Sequence, residues 1–345
     1  MNIYALVPSF YGLFAALLGV LVSLQLNLPL PWLLGPLFFV ATLRLCNQPV
    51  FCPRIIKVIG QAIIGISLGL FFTPDIVDII YKYILVMLLG IVFAIALSFL
   101  GTYIFMKLAH TDSKTAWFAS AIGGASEMTT LADRFGARAD LVATSHSIRL
   151  FAVVTIIPFA FKFLGVSGAD IGLMQYIPIN VLDMGCITLL AICTGLLFQK
   201  LRIPNAWVLG PLFLTIFLTA FQLFESGLPF GASQIGQLFI GWSIGDRYRS
   251  DFLKTAPKFA LAAFTYTGLA LFFTLFIAWV VSYFSDLSIS TLILSLAPGG
   301  LTEMSITAKV LMLGAPLVTA FQVSRMVSVV LLTSLIHKYF FSKFK

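Results

Sequence analysis

Four charged side chains sit inside otherwise apolar stretches of this chain and are the residues best placed to do chemistry. Glu127 and Glu303 are each followed 22 positions later by an arginine, Arg149 and Arg325. A charge inside hydrocarbon costs about 2.5–3.5 kcal/mol even on lenient insertion scales, so two matching sets point to one site built from both halves of the chain. A carboxylate there can take up a proton or ligate Na⁺. A guanidinium can neutralise that carboxylate, or hold a substrate carboxylate through two parallel hydrogen bonds. The two roles can also alternate, with an incoming anion displacing the glutamate, which then takes a proton.

Each glutamate belongs to a repeated motif. Gly123-Gly124-Ala125-Ser126-Glu127-Met128 recurs as Gly299-Gly300-Leu301-Thr302-Glu303-Met304. A Gly-Gly pair in an apolar segment breaks the helix and leaves amides and carbonyls open, which is tolerated only inside protein or beside a wet cavity. Half-helix N-termini can then receive an anion and carbonyl ends a cation. Ser126 and Thr302 could help coordinate a cation, or simply bond back to their helix.

Gln61 and Gln237 lie in two segments of the form Gly-Gln-x-x-x-Gly-x-x-x-Gly. That spacing suits close helix packing, within one chain or between protomers of a homodimer, and the amides are alternative cavity ligands. His146, three residues before Arg149, could relay protons, but Gln322 stands at its repeat position. Asp133 and Lys309 also correspond without sharing chemistry and read as loop or cavity-edge charges. Cys46, Cys52, Cys186 and Cys193 show no metal or redox spacing and read as buried small apolar residues. His110, His146 and His337 are scattered, so no metal centre is expected.

The elements that must hold these residues are transmembrane helices. The chain is 60% hydrophobic and 10% charged, too few charges for a soluble shell over 345 residues. Its net charge of +8 is spread over short loops, as in cytoplasmic anchors, and does not point to nucleic acid. Residues 1–7 lack the basic cluster that opens a cleaved signal peptide, so the first apolar stretch is expected to be retained.

The chain reads as a tandem repeat, residues 1–170 and 176–345. Pro29 and Trp32-Leu33-Leu34-Gly35-Pro36-Leu37-Phe38 match Pro204 and Trp207-Val208-Leu209-Gly210-Pro211-Leu212-Phe213. Apolar segments run over 8–26, 31–46, 56–72, 79–106, 115–134 and 139–163, then 178–198, 204–221, 234–248, 259–284, 289–310 and 314–336. The fifth of each half carries the motif, with arms of about ten residues, ~15 Å of helix or half a bilayer. A broken crossing helix and a re-entrant hairpin both fit. The basic loops are Arg44/Arg54/Lys57, Lys107/Lys114, Lys200/Arg202, Arg247/Arg249/Lys254/Lys258 and Lys338/Lys343/Lys345; the Asp75/Asp78, Glu225 and Asp286 loops are acidic or poor in basic residues. If the fifth segments dip in and return, every basic cluster faces the cytoplasm, each half crosses five times, and both termini are cytoplasmic. An odd number of crossings inverts the second repeat. The fold class expected is therefore an all-α polytopic membrane protein of two inverted repeats, each of about five transmembrane helices plus one broken or re-entrant helix.

The paired Gly-Gly-x-(Ser/Thr)-Glu-Met motifs, the Trp-x-Leu-Gly-Pro-Leu-Phe blocks and the near-equal halves resemble the AbrB membrane family along nearly the whole chain. That family is distinct from the small DNA-binding regulator that shares its name. More distantly, the chain is similar to inverted-repeat carriers such as bile-acid symporters and cation/proton antiporters, which often use broken crossing helices. The resemblance implies a bacterial inner-membrane carrier with a panel domain and a mobile core, the core moving against the first and second helices of each half, with the third as a further candidate. Past labels for this family include ammonia monooxygenase, which the scattered histidines do not support, and regulator of gene expression. With no ATP-binding, haem or triad motif, neither enzymatic activity nor a cofactor is expected. The reading is a secondary carrier for a small organic, anionic solute coupled to H⁺ or Na⁺. The alternative is a membrane-embedded regulator or sensor that does not transport.

Overall fold

The computed structural model describes residues 3–168, 178–223, 226–248 and 257–341. Glu225, Arg249, Lys254, Lys343, Lys345 and the seam between the repeats lie outside the described residues. Among the described residues the regular structure is helical. The first half contributes α1 (Ile3–Gln25), α2 (Pro31–Leu45), α3 (Arg54–Gly69), α4 (Pro74–Lys82), α5 (Ile84–Ala109), α6 (Ser113–Ser120), α7 (Ala125–Arg134) and α8 (Ala139–Phe163). The second contributes α9 (Val181–Lys200), α10 (Ala206–Ala220), α11 (Ala232–Gly245), α12 (Pro257–Ser282), α13 (Ile289–Leu296), α14 (Leu301–Val310) and α15 (Ala315–Ile336). The chain is an all-α polytopic membrane protein. Among the described residues, 6 helices are long and apolar enough to cross a bilayer: α1, α5, α8, α9, α12 and α15. On α1 the exposed residues Phe10, Phe14, Leu17, Leu21 and Leu24 form one apolar stripe, a surface for lipid rather than water.

Two expectations change. The fourth segment of the first half does not run continuously from residue 79. Pro74 opens the separate helix α4, and Tyr83 (φ −102°, ψ 15°) interrupts it before α5 begins. Cys52 is buried, but Cys46, Cys186 and Cys193 are exposed. On α9 the buried residues are Ile187, Ala191 and Gly195, a single stripe that leaves both of its cysteines facing outward.

The chain divides into two compact units that cut across the repeats. One holds α1, α2 and α3 with α9, α10 and α11, together with residues 309–316. In it the Gly-rich helices pack closely. A side chain at Gly60 of α3 would meet Phe239 Cβ at 2.8 Å, and one at Gly65 would meet the Val208 carbonyl of α10 at 2.6 Å. Gly241 and Gly245 of α11 likewise lie against Leu33 and Leu37 of α2. Each third helix thus rests on the second helix of the other repeat. The helices α3 and α11 pack on each other in the middle of this unit, flanked by the short helices α10 and α2, which have broad buried faces. Both begin after a left-handed residue, Leu30 (φ 46°) and Asn205 (φ 48°).

The other unit holds α5, α6, α7, most of α8, α12, α13, most of α14 and most of α15. Its two broken segments are entered from opposite ends of α5. Asp286, in the turn before α13, pairs with Lys82 at the foot of α5 at 2.8 Å. The segment α6 follows the other end of α5 and runs back along it, where Ser120 Oγ lies 3.0 Å from Thr102 Oγ1. The 26 residues of α5 separate these entries by about 39 Å. At the start of α6, Thr115 Oγ1 accepts a 3.0 Å hydrogen bond from the backbone N–H of Arg138, just past α7. A straight crossing would hold these residues far apart. The first broken segment therefore returns to where it entered, as a hairpin.

Candidate functional site

Both breaks are built alike. Asp112 caps α6 by accepting from Thr115 N at 2.9 Å, and Ser288 caps α13 by accepting from Thr291 N at 3.1 Å. The two helices then end on an extended alanine, Ala121 (φ −53°, ψ 131°) and Ala297 (φ −55°, ψ 138°). In the second copy Pro298 follows, which disfavours helix at Ala297. Helix resumes when Met128 N donates to the Gly124 carbonyl at 2.9 Å and Met304 N to the Gly300 carbonyl at 3.1 Å.

Those bonds make Gly124 and Gly300 the N-caps and place each glutamate at the third helical position. There an acidic side chain can reach back over the open amides. The carboxylates do fold back: an added Cβ at Gly124 or Gly300 would overlap Oε2 of Glu127 or Glu303. The preceding glycines admit the methionines in the same way. A Cβ at Gly123 would lie 2.7 Å from Met128 Cε, and one at Gly299 would lie 2.8 Å from Met304 Cγ. The repeated motif is thus one steric device, in which two missing side chains let Glu and Met close over the break.

The arginines serve the opposite helix end. Arg149 Nη1 donates to the Ala121 carbonyl at 3.0 Å and, at 3.5 Å, to that of Ser120; Nη2 reaches the Gly123 carbonyl at 3.5 Å. Arg325 donates to the Ala297 carbonyl and, at 2.9 Å, to that of Gly299. The guanidinium groups therefore face carbonyl oxygens, where the sequence had suggested carboxylates. In the last turn of α6 the Phe118 carbonyl is met by His146 Nε2 at 2.9 Å and that of Ala119 by Ser145 Oγ at 2.9 Å, and Ser120 gains a second, closer donor in Tyr266 Oη at 2.7 Å. An interrupted helix in lipid needs this complete set of partners.

His146 and Gln322 do the same work. His146 Nδ1 lies 2.9 Å from Arg149 Nη2, which fixes Nε2 as the protonated nitrogen that donates to Phe118. Gln322 donates to the Leu294 carbonyl at 2.7 Å and accepts from Arg325 through Oε1. Each arginine is thereby held on its carbonyls by a group that both donates and accepts.

Cation at the carbonyl end and anion at the amide end match the two half-helix dipoles, a contribution of up to about 2 kcal/mol each in partly buried geometry. The copies differ in exposure. Thr302 and Glu303 are buried, whereas Glu127 is half-buried and Ser126 is exposed. Gln61, half-buried, and Gln237, buried, belong to the other compact unit, on α3 and α11. Sequence reading missed Tyr266 as a donor to the break, the roles of Met128 and Met304, and the surroundings of Lys309. Only the methionines carried a signal, by recurring within the motif.

Comparison with known proteins adds a family. A family model described as "Transition state regulatory protein AbrB" matches residues 32–341. The chain is 24% identical over 302 residues to "Uncharacterized protein YhjN" of Bacillus subtilis (strain 168), covering 79% of this chain and 76% of that protein. It is 24% identical over 316 residues to "Putative regulator AbrB" of Escherichia coli (strain K12), covering 89% of each. No solved structure matches. Since that match takes in both Trp-x-Leu-Gly-Pro-Leu-Phe blocks, both breaks and both arginines, the chain belongs to the AbrB family.

Proposed function

We propose that this chain is a secondary carrier for a small organic anion, coupled to H⁺ or Na⁺, in the bacterial inner membrane with both termini cytoplasmic. The observation that carries the reading is the duplicated break, closed by a glutamate at the amide end and an arginine at the carbonyl end. Open amides at a half-helix N-terminus are a seat for an anion. In each copy the protein's own carboxylate lies over that seat. A substrate carboxylate would compete for the same amides. The displaced glutamate would then bind a proton or Na⁺, which ties solute to cation. The arginine stays on its carbonyls and keeps the break in shape.

The difference in exposure between the copies supports alternation. Inverted repeats give alternating access by exchanging conformations, so one copy open and the other closed is the expected asymmetry. The two compact units, each drawing the same helices from both repeats, are the bodies such a cycle requires.

Comparing the metabolites retained by cells with and without the protein would nominate the solute, and counterflow into proteoliposomes would test it. Glu127→Gln and Glu303→Gln should each abolish the dependence of exchange on pH or Na⁺. Unchanged transport with unchanged cation dependence in both variants would overturn the proposal. The printed name of the E. coli relative favours a second reading, a membrane regulator. Solute binding without counterflow would support that reading instead.

A further inference from the structure

Lys309 stands at the repeat position of the exposed Asp133, and its surroundings are those of a site. Its Nζ donates to Ser67 Oγ of α3 and, at 3.2 Å, to Ser233 Oγ of α11, and lies 5.3 Å from the centre of the Phe71 ring. All four residues belong to the same compact unit. The lysine is only partly exposed and Ser67 is buried. No ion pair joins Lys309 to a carboxylate among the described residues.

Counting protons gives the ligand. An ammonium has three N–H donors and no acceptor. Two of the three are given to the serines, leaving one. Each serine spends a lone pair on Nζ, so its own O–H proton remains to be donated. The cluster therefore offers one charged and two neutral donors, against one remaining lone pair on each serine oxygen, and its only charge is positive. A shielded cation without a counter-ion is costly, and an anion that accepts from all three donors relieves that cost. The Phe71 face covers one side of the ammonium and supplies apolar wall for a short carbon chain.

We propose that Lys309, Ser67 and Ser233 form a binding site for the carboxylate of a small organic acid, separate from the seats at the two breaks. Its existence does not depend on transport.

The test uses the full-length protein in detergent, with thermal stability followed against acetate, propionate, benzoate and chloride at constant ionic strength. At least one carboxylate should stabilise the wild type well beyond chloride. Lys309→Gln should raise the half-saturating concentration by about tenfold or more, the scale of a lost charge-assisted hydrogen bond. Ser67→Ala and Ser233→Ala, which keep the charge, should each raise it severalfold, and Arg138→Gln, in an exposed ion pair, should leave it unchanged. No carboxylate response in the wild type, an equal response to chloride, or an unaltered response in Lys309→Gln and both serine variants would each overturn the assignment.

Discussion

Gly124→Ala tests the reading of the break most directly. Gly124 has φ −66° and ψ 138°, a conformation open to any residue, so its backbone does not call for glycine. What excludes a side chain is the Glu127 carboxylate, which occupies the space a Cβ would fill. The methyl group should push that carboxylate off the helix N-terminus. The loss combines a cap, typically ~1 kcal/mol, with a charge–dipole contribution of up to ~2 kcal/mol in partly buried geometry, so a destabilisation of about 2 kcal/mol is expected. In a Glu127→Ala background the obstructing atoms are gone. Alanine then gains about 0.4–1 kcal/mol by restricting the unfolded chain, offset by its poorer N-cap preference, and the net effect should be close to zero. Denaturant unfolding in mixed micelles of the wild type, both single variants and the double variant gives the coupling energy. The Gly300/Glu303 pair should behave alike. Strict additivity of Gly124→Ala and Glu127→Ala would refute the steric argument, because the glycine would then be needed for another reason.

Three further outcomes follow from the same geometry. Arg149→Met should cost about 3 kcal/mol, since it leaves the Ala121 and Gly123 carbonyls unmet at about 1–3 kcal/mol each, whereas Arg138→Met, in an exposed pair, should cost under ~1 kcal/mol by the same unfolding measurement. His146→Gln should retain near wild-type stability and His146→Ala should not, since glutamine already does this work at Gln322; equal losses in a thermal assay would contradict the assigned roles. The Lys82–Asp286 pair should respond to pH and salt: the lysine ammonium holds the Asp286 carboxyl below its ordinary range, so the pair's contribution is present above the unfolded aspartate value of about 3.9 and fades as pH falls through the lowered folded value. Comparing Asp286→Asn with wild type across pH 2–7 and in high salt checks this, and a difference that grows on acidification would run against it.

Much of the molecule was legible in the chain because lipid enforces simple rules. Apolar runs had to be helices, and the expected segments match the helices closely except where Pro74 and Tyr83 separate α4 from α5. The recurring motif located both breaks, since a Gly-Gly pair weakens helix wherever it falls in an apolar run. Packing was partly legible: the Gly-x-x-x-Gly spacing of α3 and α11 announced close contact, but not that each would rest on the second helix of the other repeat. Roles were less legible than positions. A carboxylate and a guanidinium 22 residues apart suggest each other in sequence, yet in the fold each answers a helix end.

The sequence by itself determined that the chain lives in a membrane, that it is a duplication, and which residues stand at its two interruptions, because hydropathy and repetition are properties of residue order. Only the tertiary structure decided which open backbone groups the charges satisfy, that His146 and Gln322 are equivalents, and that Lys309 meets two serines rather than an acid. The arginine and lysine contacts among these join residues dozens to hundreds of positions apart. A hydrogen bond is set by the distance between atoms in space, which the order of residues along a chain does not specify.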